Sequence, residues 1–262
     1  MAPVSTVAVL LRSHDYGDTS RILRFYTEAH GLLSVMARGV RTRSGKGTTA
    51  LVTFATGTLT AYVKPNRDLH TMKDFDCTRM REGLGLHLLR FAGASATAEL
   101  MLAHADQERN PELLGALEHC LDSLESVEPA QVPAAALSAI WRITEAFGFA
   151  PQLDPCVRCG ELLAQDEMGR FDFASGGIRC AKCAEDAAGP RIGPVARAQI
   201  ANLLAGRLDA EFTYARRHLA VLSDFVAYHV VSKPLKSLSF LGGLLPADEQ
   251  GAGTGNLRLP DA

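Results

Sequence analysis

Hydrophobic and polar residues alternate in short runs through the first 80 positions of the chain. One run begins at Val7, and later runs cover residues 21–27, 33–38, 54–64 and 69–77, with turn-forming residues between them. Alternation with a period of two predicts β-strands. Five strands in so short a segment leave no room for crossover helices, so we predict a small closed barrel of the OB type over residues 1–80.

The apolar period becomes helical after residue 80. Asn110 and Pro111 form a helix start, and the leucines at positions 113, 117, 121 and 124 follow on one stripe. Further helices are predicted at residues 81–104, 134–147, 194–204 and 218–231. We expect these to form a helical domain in two parts, 81–152 and 188–245, followed by a disordered Gly- and Pro-containing tail at 246–262.

Four cysteines in two pairs lie between the two helical parts: Cys156, Cys159, Cys180 and Cys183. Two thiols separated by two residues occupy a tight turn, and two such turns supply the four soft ligands of a structural Zn²⁺ site. We prefer this interpretation to two disulfides or four unrelated core thiols, because the remaining cysteines are isolated and secretory features are lacking. The predicted fold is therefore α+β and multidomain: an N-terminal five-stranded OB-type β-barrel, then an all-helical domain with a four-cysteine zinc ribbon inserted at 153–187.

Charge is distributed unevenly, although the formal net charge is only −2. Residues 1–82 contain 12 Lys+Arg and 7 Asp+Glu, whereas residues 83–155 contain 3 and 10. Between Ala29 and Arg67 there are six basic residues and no acidic one. Such a segment is typical of a phosphate-binding surface, although chance clustering on a solvated face is an open alternative.

Aromatic side chains accompany the cations of the first 80 residues. Single-stranded nucleic acid is held by phosphate neutralisation together with base stacking. The residues predicted to bind DNA are Arg24, Tyr26, Arg38, Arg41, Arg43, Lys46, Tyr62, Lys64 and Arg67. The two tyrosines are expected either to stack on bases or to cap the barrel.

A second basic group flanks the last helical stripe and consists of Arg216, Arg217, Lys233 and Lys236. These cations could suit an acidic, hydrophobic partner peptide, while a solvated helix edge is the simpler interpretation. The N-terminus lacks a charged leader followed by an apolar core, and no apolar stretch is long enough to span a bilayer. We therefore expect a cytoplasmic protein.

Catalytic alternatives have weaker support. The loop at residues 39–47 lacks the spacing and the Ser or Thr of a phosphate-binding P-loop. Pro155-Cys156-Val157-Arg158-Cys159 matches half of a zinc deaminase signature, but none of the eight histidines begins the required His-x-Glu, and two more cysteines would close the metal's water position. A zinc-ribbon transcription regulator and a zinc-dependent enzyme acting on nucleic acid are kept as alternatives.

Three segments together resemble the RecO family of bacterial DNA repair and recombination mediators. They are Asp15–Asp18 through Arg21–Leu23, Thr27 and Gly31–Arg41; Cys156–Gly160 with Ser175–Cys180 and Cys183; and His229 through Lys233–Leu238. Their order and spacing match over about residues 4–245. The basic loop at 41–46 is looser and more glycine-rich than the family's.

The resemblance implies an N-terminal OB domain, a helical domain with an embedded zinc site, and no catalysis. It also implies binding to single- and double-stranded DNA and annealing of complementary strands. As partners it implies RecR, single-strand-binding protein and, functionally, the RecA recombinase, in association with the bacterial nucleoid.

Overall fold

The computed structural model describes residues 2–40, 51–208 and 211–248. The chain divides into two compact units, Met1–Ser126 and Val127–Ala262. The change from strands to helices near residue 80 therefore does not coincide with the division between the units, because the first three helices pack with the barrel. None of the helices in the described ranges has the length and apolarity that crossing a membrane requires.

The first unit contains a closed barrel with strand order β1-β2-β3-β5-β4. Its strands are β1 (Val4–Tyr16), β2 (Ser20–Thr27), β3 (Gly31–Ala37), β4 (Thr56–Tyr62) and β5 (His70–Arg79). Neighbouring strands are antiparallel except β3 and β5, which pair in parallel at Val35 and His70. The predicted five-stranded OB-type barrel is confirmed.

Alternation along each strand builds the barrel core. Leu10, Leu23, Phe25, Val35 and Leu59 are fully buried inside it. The ring of Phe25 lies 5.1 Å, centroid to centroid, from that of Phe75 on β5. A bulge between Leu10 and Arg12 on β1 shifts the pairing with β2 by one residue and so decides which later side chains of β1 point outward.

Gly31 connects the barrel to the helical part of the first unit. It has a φ of +56°, and a Cβ at this position would lie 2.3 Å from the carbonyl oxygen of Asp106. The next residue, Leu32, donates its N–H to the same oxygen at 2.9 Å. Only glycine permits both the left-handed backbone and this close approach.

Three helices complete the first unit: α1 (Glu82–Leu86), α2 (Leu88–His104) and α3 (Pro111–Ser126). The predicted start of α3 is confirmed, since Asn110 Oδ1 accepts a hydrogen bond from the N–H of Leu113 at 2.9 Å. Its predicted leucine stripe is buried. Helix α2 is rich in buried alanines, which allow close packing. It continues through Gly93, although glycine has poor helix propensity.

A buried arginine connects the barrel to α3. Arg81 is 2% exposed, and its guanidinium donates to Asp122 Oδ1 at 2.6 Å, to the carbonyl of Phe54 at 2.7 Å and to Thr56 Oγ1 at 2.9 Å. Phe54 has a φ of +74°, so the hydrogen bond to its carbonyl helps to hold an unfavourable backbone conformation. These hydrogen bonds compensate for burying the guanidinium charge, and they also satisfy the buried oxygen atoms of Phe54 and Thr56.

The second unit is helical with a small sheet inserted. Its helices are α4 (Val132–Ala146), α5 (Pro194–Leu204), α6 (Ala215–His229) and α7 (Lys236–Leu244). Strands β6 (Gly169–Asp172), β7 (Gly177–Arg179) and β8 (Arg191–Ile192) form an antiparallel sheet in the order β7-β6-β8. The ring of Phe225 on α6 lies 5.2 Å from Trp141 and 6.0 Å from Phe171 on β6, which joins the sheet to the helical core.

Within the described residues, the helix that closes the second unit was not predicted from the sequence. Helix α7 is short and includes Gly242 and Gly243, which have poor helix propensity. Its formation depends on tertiary packing, since Leu238 and Leu241 are buried. Of the predicted disordered tail, residues 249–262 lie outside the described ranges.

Replacing Arg81 with Met should destabilise the first unit by about 3 kcal/mol, because the carbonyl of Phe54 and the hydroxyl of Thr56 would lose their buried donor, and Asp122 would lose one of its two arginine partners. Arg79→Met is the matched control: Arg79 also contacts Asp122, at 3.0 Å, but its side chain is 49% exposed. That variant should cost less than about 1 kcal/mol. Urea unfolding followed by hydrogen exchange of barrel amides measures both, and equal losses would contradict the role assigned to Arg81.

Candidate nucleic-acid interface and metal centre

The four paired cysteines come together in space. Their Sγ atoms all lie within 4.8 Å of one another, and those of Cys159 and Cys180 are 3.8 Å apart. Tetrahedral zinc with Zn–S bonds of about 2.3 Å holds its sulfur atoms about 3.8 Å apart. The donor set and its spacing therefore fit a four-thiolate metal site.

Local backbone structure places these thiols. In the first turn the N–H of Gly160 donates to the carbonyl of Cys156 at 2.9 Å, and Gly160 has a φ of +76°, which favours glycine. In the second, the N–H of Cys183 donates to the carbonyl of Cys180 at 3.0 Å. Strand β7 ends directly before Cys180, and its Ile178 carbonyl accepts from the N–H of Val157 at 3.0 Å. The small sheet thus holds the two turns against each other.

The thiols differ in how readily they release a proton. Burial alone would raise the pKa of Cys156, but hydrogen bonds from the backbone N–H groups of Cys159, Cys180 and Arg158 outweigh it and lower that pKa to about 6. Hydrogen bonding to the Cys180 thiol, followed by burial, raises the pKa of Cys183 to about 12. Four thiolates at this spacing repel one another, so full ionisation requires a cation among them.

A carboxylate beside the site holds two surrounding segments together. Glu167 accepts hydrogen bonds from the backbone N–H of Ala181 at 2.8 Å and of Ala164 at 3.0 Å. These bonds, the one from Ala181 above all, lower the pKa of the Glu167 carboxyl group. Sequence reasoning did not single out Glu167, because nothing in the spacing of the cysteines indicates which acid bonds to the backbone of the second turn.

The outward face of the barrel carries two arginines in directly opposite positions. Arg24 on β2 pairs with Arg12 on β1 and with Ser34 on β3, while its neighbours Leu23 and Phe25 point into the core. Burial, followed by the charge of Arg12, lowers the pKa of Arg24. The Nε atom of Arg24 is buried and has no hydrogen-bond partner among the described residues.

Like charges directly opposite one another on a sheet are destabilising. An anion placed between these two guanidinium groups would remove the repulsion. Sequence analysis missed Arg12, because the bulge on β1 that aligns it with Arg24 has no evident sequence signature.

Apolar and aromatic side chains form the neighbouring row of the same face. Ile22 on β2 pairs with Met36 on β3, Met36 with Thr71 on β5, and Thr71 with Tyr62 on β4. All four are half-buried. This row, beside the Arg12–Arg24 pair, offers surfaces for bases next to groups for phosphates.

Three more of the predicted DNA-binding residues are exposed beyond the ends of strands, and three lie outside the described ranges. Arg38, directly after β3, and Lys64 and Arg67, between β4 and β5, are exposed. Arg41, Arg43 and Lys46 lie outside the described residues.

Tyr26, one of the two tyrosines predicted to stack on bases or cap the barrel, is enclosed by the protein. Tyr26 is only 1% exposed, although alternation does turn it away from the barrel core. Leu32, which lies opposite Tyr26 on β3, donates its backbone N–H to the carbonyl of Asp106 in the segment after α2. Burial, together with the charge of Asp106, raises the pKa of Tyr26 to about 12. A long-range contact therefore removes this ring from the surface.

Two of the four predicted peptide-binding cations are engaged within the chain. Arg216 donates from Nε and Nη2 to the carbonyl of Leu245, at 3.0 and 2.9 Å. Arg217 pairs with Asp248 at 3.3 Å and lies 4.9 Å from the centre of the Tyr214 ring. Lys233 and Lys236 are exposed.

A groove of about 410 Å³ runs between α6 and α7. Its lining is mostly apolar and includes Leu219, Val231 and Leu238. Lys233 and Lys236 flank Pro234 and Leu235, which also line it. Asp224 is the acidic residue of the lining, and burial raises its pKa.

Comparison with known families agrees with both halves of this architecture. Residues 1–81 match the family model described as recombination protein O N terminal, and residues 86–239 match recombination protein O C terminal. The chain belongs to the RecO family. The resemblance inferred from three short segments is confirmed, and with it the combination of an OB-type barrel, a helical domain and a clustered four-cysteine set.

Individual RecO relatives align over most of their length. The DNA repair protein RecO of Desulfatibacillum aliphaticivorans is 31% identical over 256 residues, which covers 93% of this chain and 98% of the relative. That of Anaeromyxobacter sp. strain Fw109-5 is 32% identical over 183 residues, covering 69% and 70%. That of Rubrobacter xylanophilus is 30% identical over 187 residues, covering 71% and 74%.

Replacing Arg12 with Gln should stabilise the first unit by up to about 1 kcal/mol, because it removes the repulsion with Arg24. Arg21→Gln on the same strand pair is the matched control, since Arg21 bonds to Asp15 at 3.0 Å and its loss should be neutral or cost up to about 1 kcal/mol. Urea unfolding of the two variants measures the difference. A destabilised Arg12→Gln protein would show that the pair is not under repulsion.

Proposed function

We propose that this protein is a DNA-binding recombination mediator in DNA repair. In this proposal it binds single- and double-stranded DNA, anneals complementary strands and, with RecR, helps to load RecA onto strands coated by single-strand-binding protein. The observation that carries the proposal is the paired Arg12 and Arg24 beside the apolar row of the barrel, in a chain of the RecO family. Relatives named DNA repair protein RecO support the cellular role. We expect it to act in the cytoplasm, at the nucleoid.

The barrel face accounts for binding without base specificity. Guanidinium groups neutralise phosphates of any sequence, and stacking on Tyr62 or contact with Met36 tolerates every base. Arg38, Lys64, Arg67 and the loop residues Arg41, Arg43 and Lys46 would extend the phosphate contacts. Annealing needs such contacts, because two polyanionic strands must approach each other before their bases can pair.

We infer that the protein works by binding and breaks no bond. Zn²⁺ held by Cys156, Cys159, Cys180 and Cys183 would have all four tetrahedral positions filled by sulfur. It would supply a cross-link between the two turns and leave no position for a catalytic water. A zinc-dependent enzyme is disfavoured on this ground.

The groove between α6 and α7 is our candidate contact for the acidic, apolar tail of a single-strand-binding protein. Its apolar lining would take the hydrophobic part of such a peptide, and Lys233 and Lys236 would face its carboxylates. Arg216 lines the groove while it bonds to the carbonyl of Leu245, whereas Arg217 is paired with Asp248.

The DNA-binding proposal is tested with the double variant Arg12→Gln/Arg24→Gln. The slope of log affinity against log salt is negative, and loss of two phosphate contacts should reduce its magnitude by about 1.4 on single-stranded DNA. Annealing of complementary strands in the presence of single-strand-binding protein should slow by about tenfold or more. Fluorescence anisotropy and a strand-annealing assay provide the measurements.

Arg79→Gln/Arg109→Gln is the charge-matched control for this test, because both are exposed cations of the same unit outside the apolar row, Arg79 beside Asp122 of α3 and Arg109 beside Glu28. It should bind and anneal like the parent. Equal behaviour of the two double variants would refute the barrel face as the binding surface. Preference for one duplex sequence by orders of magnitude would favour the alternative of a transcription regulator.

Replacing Cys156 with Ser should abolish stoichiometric zinc and destabilise the second unit by several kcal/mol, since structural zinc contributes on the order of 10 kcal/mol in small modules. Trp141, the single tryptophan, is fully buried in that unit, so its fluorescence reports the unfolding. Cys77→Ser removes a thiol outside the cluster and should change neither metal content nor the Trp141 transition. A Cys156→Ser protein that retained its zinc and melted like the parent would disprove the metal assignment.

A further inference from the structure

Three arginines lie side by side across the small sheet of the second unit. Arg170 on β6 is directly opposite Arg179 on β7 and directly opposite Arg191 on β8. Residues directly opposite on neighbouring strands share a face of the sheet. We call Arg170, Arg179 and Arg191 the arginine row.

The other face of this sheet is part of the protein core. Phe171, Ile178 and Ile192 have no exposed surface, and Phe171 packs on Phe225 of α6. Because side chains alternate between faces, burial of these three residues turns the arginine row away from the core. The sheet thus has one apolar face and one cationic face.

Carboxylates balance only part of this charge. Asp172 pairs with Arg179, whose Nε donates to Asp172 Oδ2 at 2.8 Å. Arg170 donates from Nε to the uncharged carbonyl of Gly189 at 2.9 Å. The side chain of Arg191 is exposed and has neither a hydrogen bond nor an ion pair with any described residue. Two positive charges on adjacent strands therefore lack a counter-charge from the sheet.

An open cavity of about 500 Å³ lies on this cationic face. Arg170, Arg191 and Lys182 line it, and Glu185 is the acidic residue of its lining. Lys182 also contacts Glu161 at 3.6 Å, but both side chains are mostly exposed, so this pair is weak. Cations exceed acids around the cavity.

The chemistry of the cavity favours phosphate groups over bases. None of the side chains that line it among the described residues is aromatic. Adjacent strands are about 4.8 Å apart, so the row extends over roughly 10 Å, longer than one phosphate group. A linear polyanion fits such a row better than a single small anion does.

We propose that the arginine row, together with Lys182, is a second nucleic-acid contact that binds the sugar-phosphate backbone without reading bases. It rests on the proposed function, because the polyanion is taken to be DNA. The protein then has two cationic surfaces with different tasks. The barrel face combines phosphate and base contacts, whereas the sheet of the zinc ribbon contacts phosphates alone.

The test uses the full chain, loaded with zinc, and the double variant Arg170→Gln/Arg191→Gln. Neither residue neighbours a cysteine in the sequence, and zinc content and Trp141 fluorescence check that the unit remains folded. Fluorescence anisotropy over a salt series is recorded with an oligothymidylate strand and with an abasic oligonucleotide of equal length. Arg207→Gln is the control, since Arg207 is an exposed arginine of the same unit that bonds to Asn202.

Loss of two phosphate contacts should reduce the magnitude of the double variant's salt slope by about 1.4 on oligothymidylate. The decrease should be the same on the abasic strand, because the row does not contact bases. Arg207→Gln should keep the parent slope. Arg170→Lys/Arg191→Lys should retain most of it, because the charges are kept.

A folded, zinc-loaded Arg170→Gln/Arg191→Gln protein with the parent slope would overturn the second contact, even where Arg12→Gln/Arg24→Gln is impaired. If the double variant failed to fold, Arg191→Gln alone would decide, with an expected decrease of about 0.7. A decrease on oligothymidylate that is absent on the abasic strand would also overturn the proposal, since it would indicate base contacts. Failure of the proposed function differs from all of these, because the parent itself would not bind DNA, and both proposals would fall.

Discussion

Alternation of side chains along β-strands is the constraint on which both proposed DNA contacts depend. In the barrel, burial of Leu23 and Phe25 forces Arg24 outward. In the small sheet, burial of Phe171 does the same for Arg170. In each case the pairing then places arginine opposite arginine, an arrangement that costs stability unless an anion is present. A hydrophobic core on one side thus creates a concentrated positive charge on the other.

In the second unit, the cysteine cluster lies beside the small sheet that carries the arginine row. The second turn follows directly after β7, so the metal ligands and the cationic face belong to one small element. That element is too small to be stable by hydrophobic burial alone, although Phe171 anchors it to α6. In our interpretation zinc fixes the sheet, and the sheet fixes the spacing of its arginines, so the metal acts on DNA binding only indirectly.

Periodicity and cysteine spacing were enough to predict the five strands, most helices and the thiol cluster, because these features follow from local sequence. Features that depend on distant residues were not predicted. Tyr26 is buried by the segment around Asp106, and Arg216 is engaged by Leu245, which no local pattern indicates. Arg12 was missed because its orientation depends on a bulge in strand pairing. Helix α7 was missed because its glycines argue against a helix that packing nevertheless forms.

The hydrogen bonds of Arg81 have a consequence for how the N-terminal half folds. Arg81 follows the last strand by two positions, yet it holds the carbonyl that precedes β4 and the carboxylate of α3 at the same time. A fragment that stops at residue 80 would contain all five strands of the barrel and still lack the hydrogen bonds of Arg81. Barrel and α3 should therefore melt together as a single cooperative block, and an autonomous OB module would have to extend through Ser126.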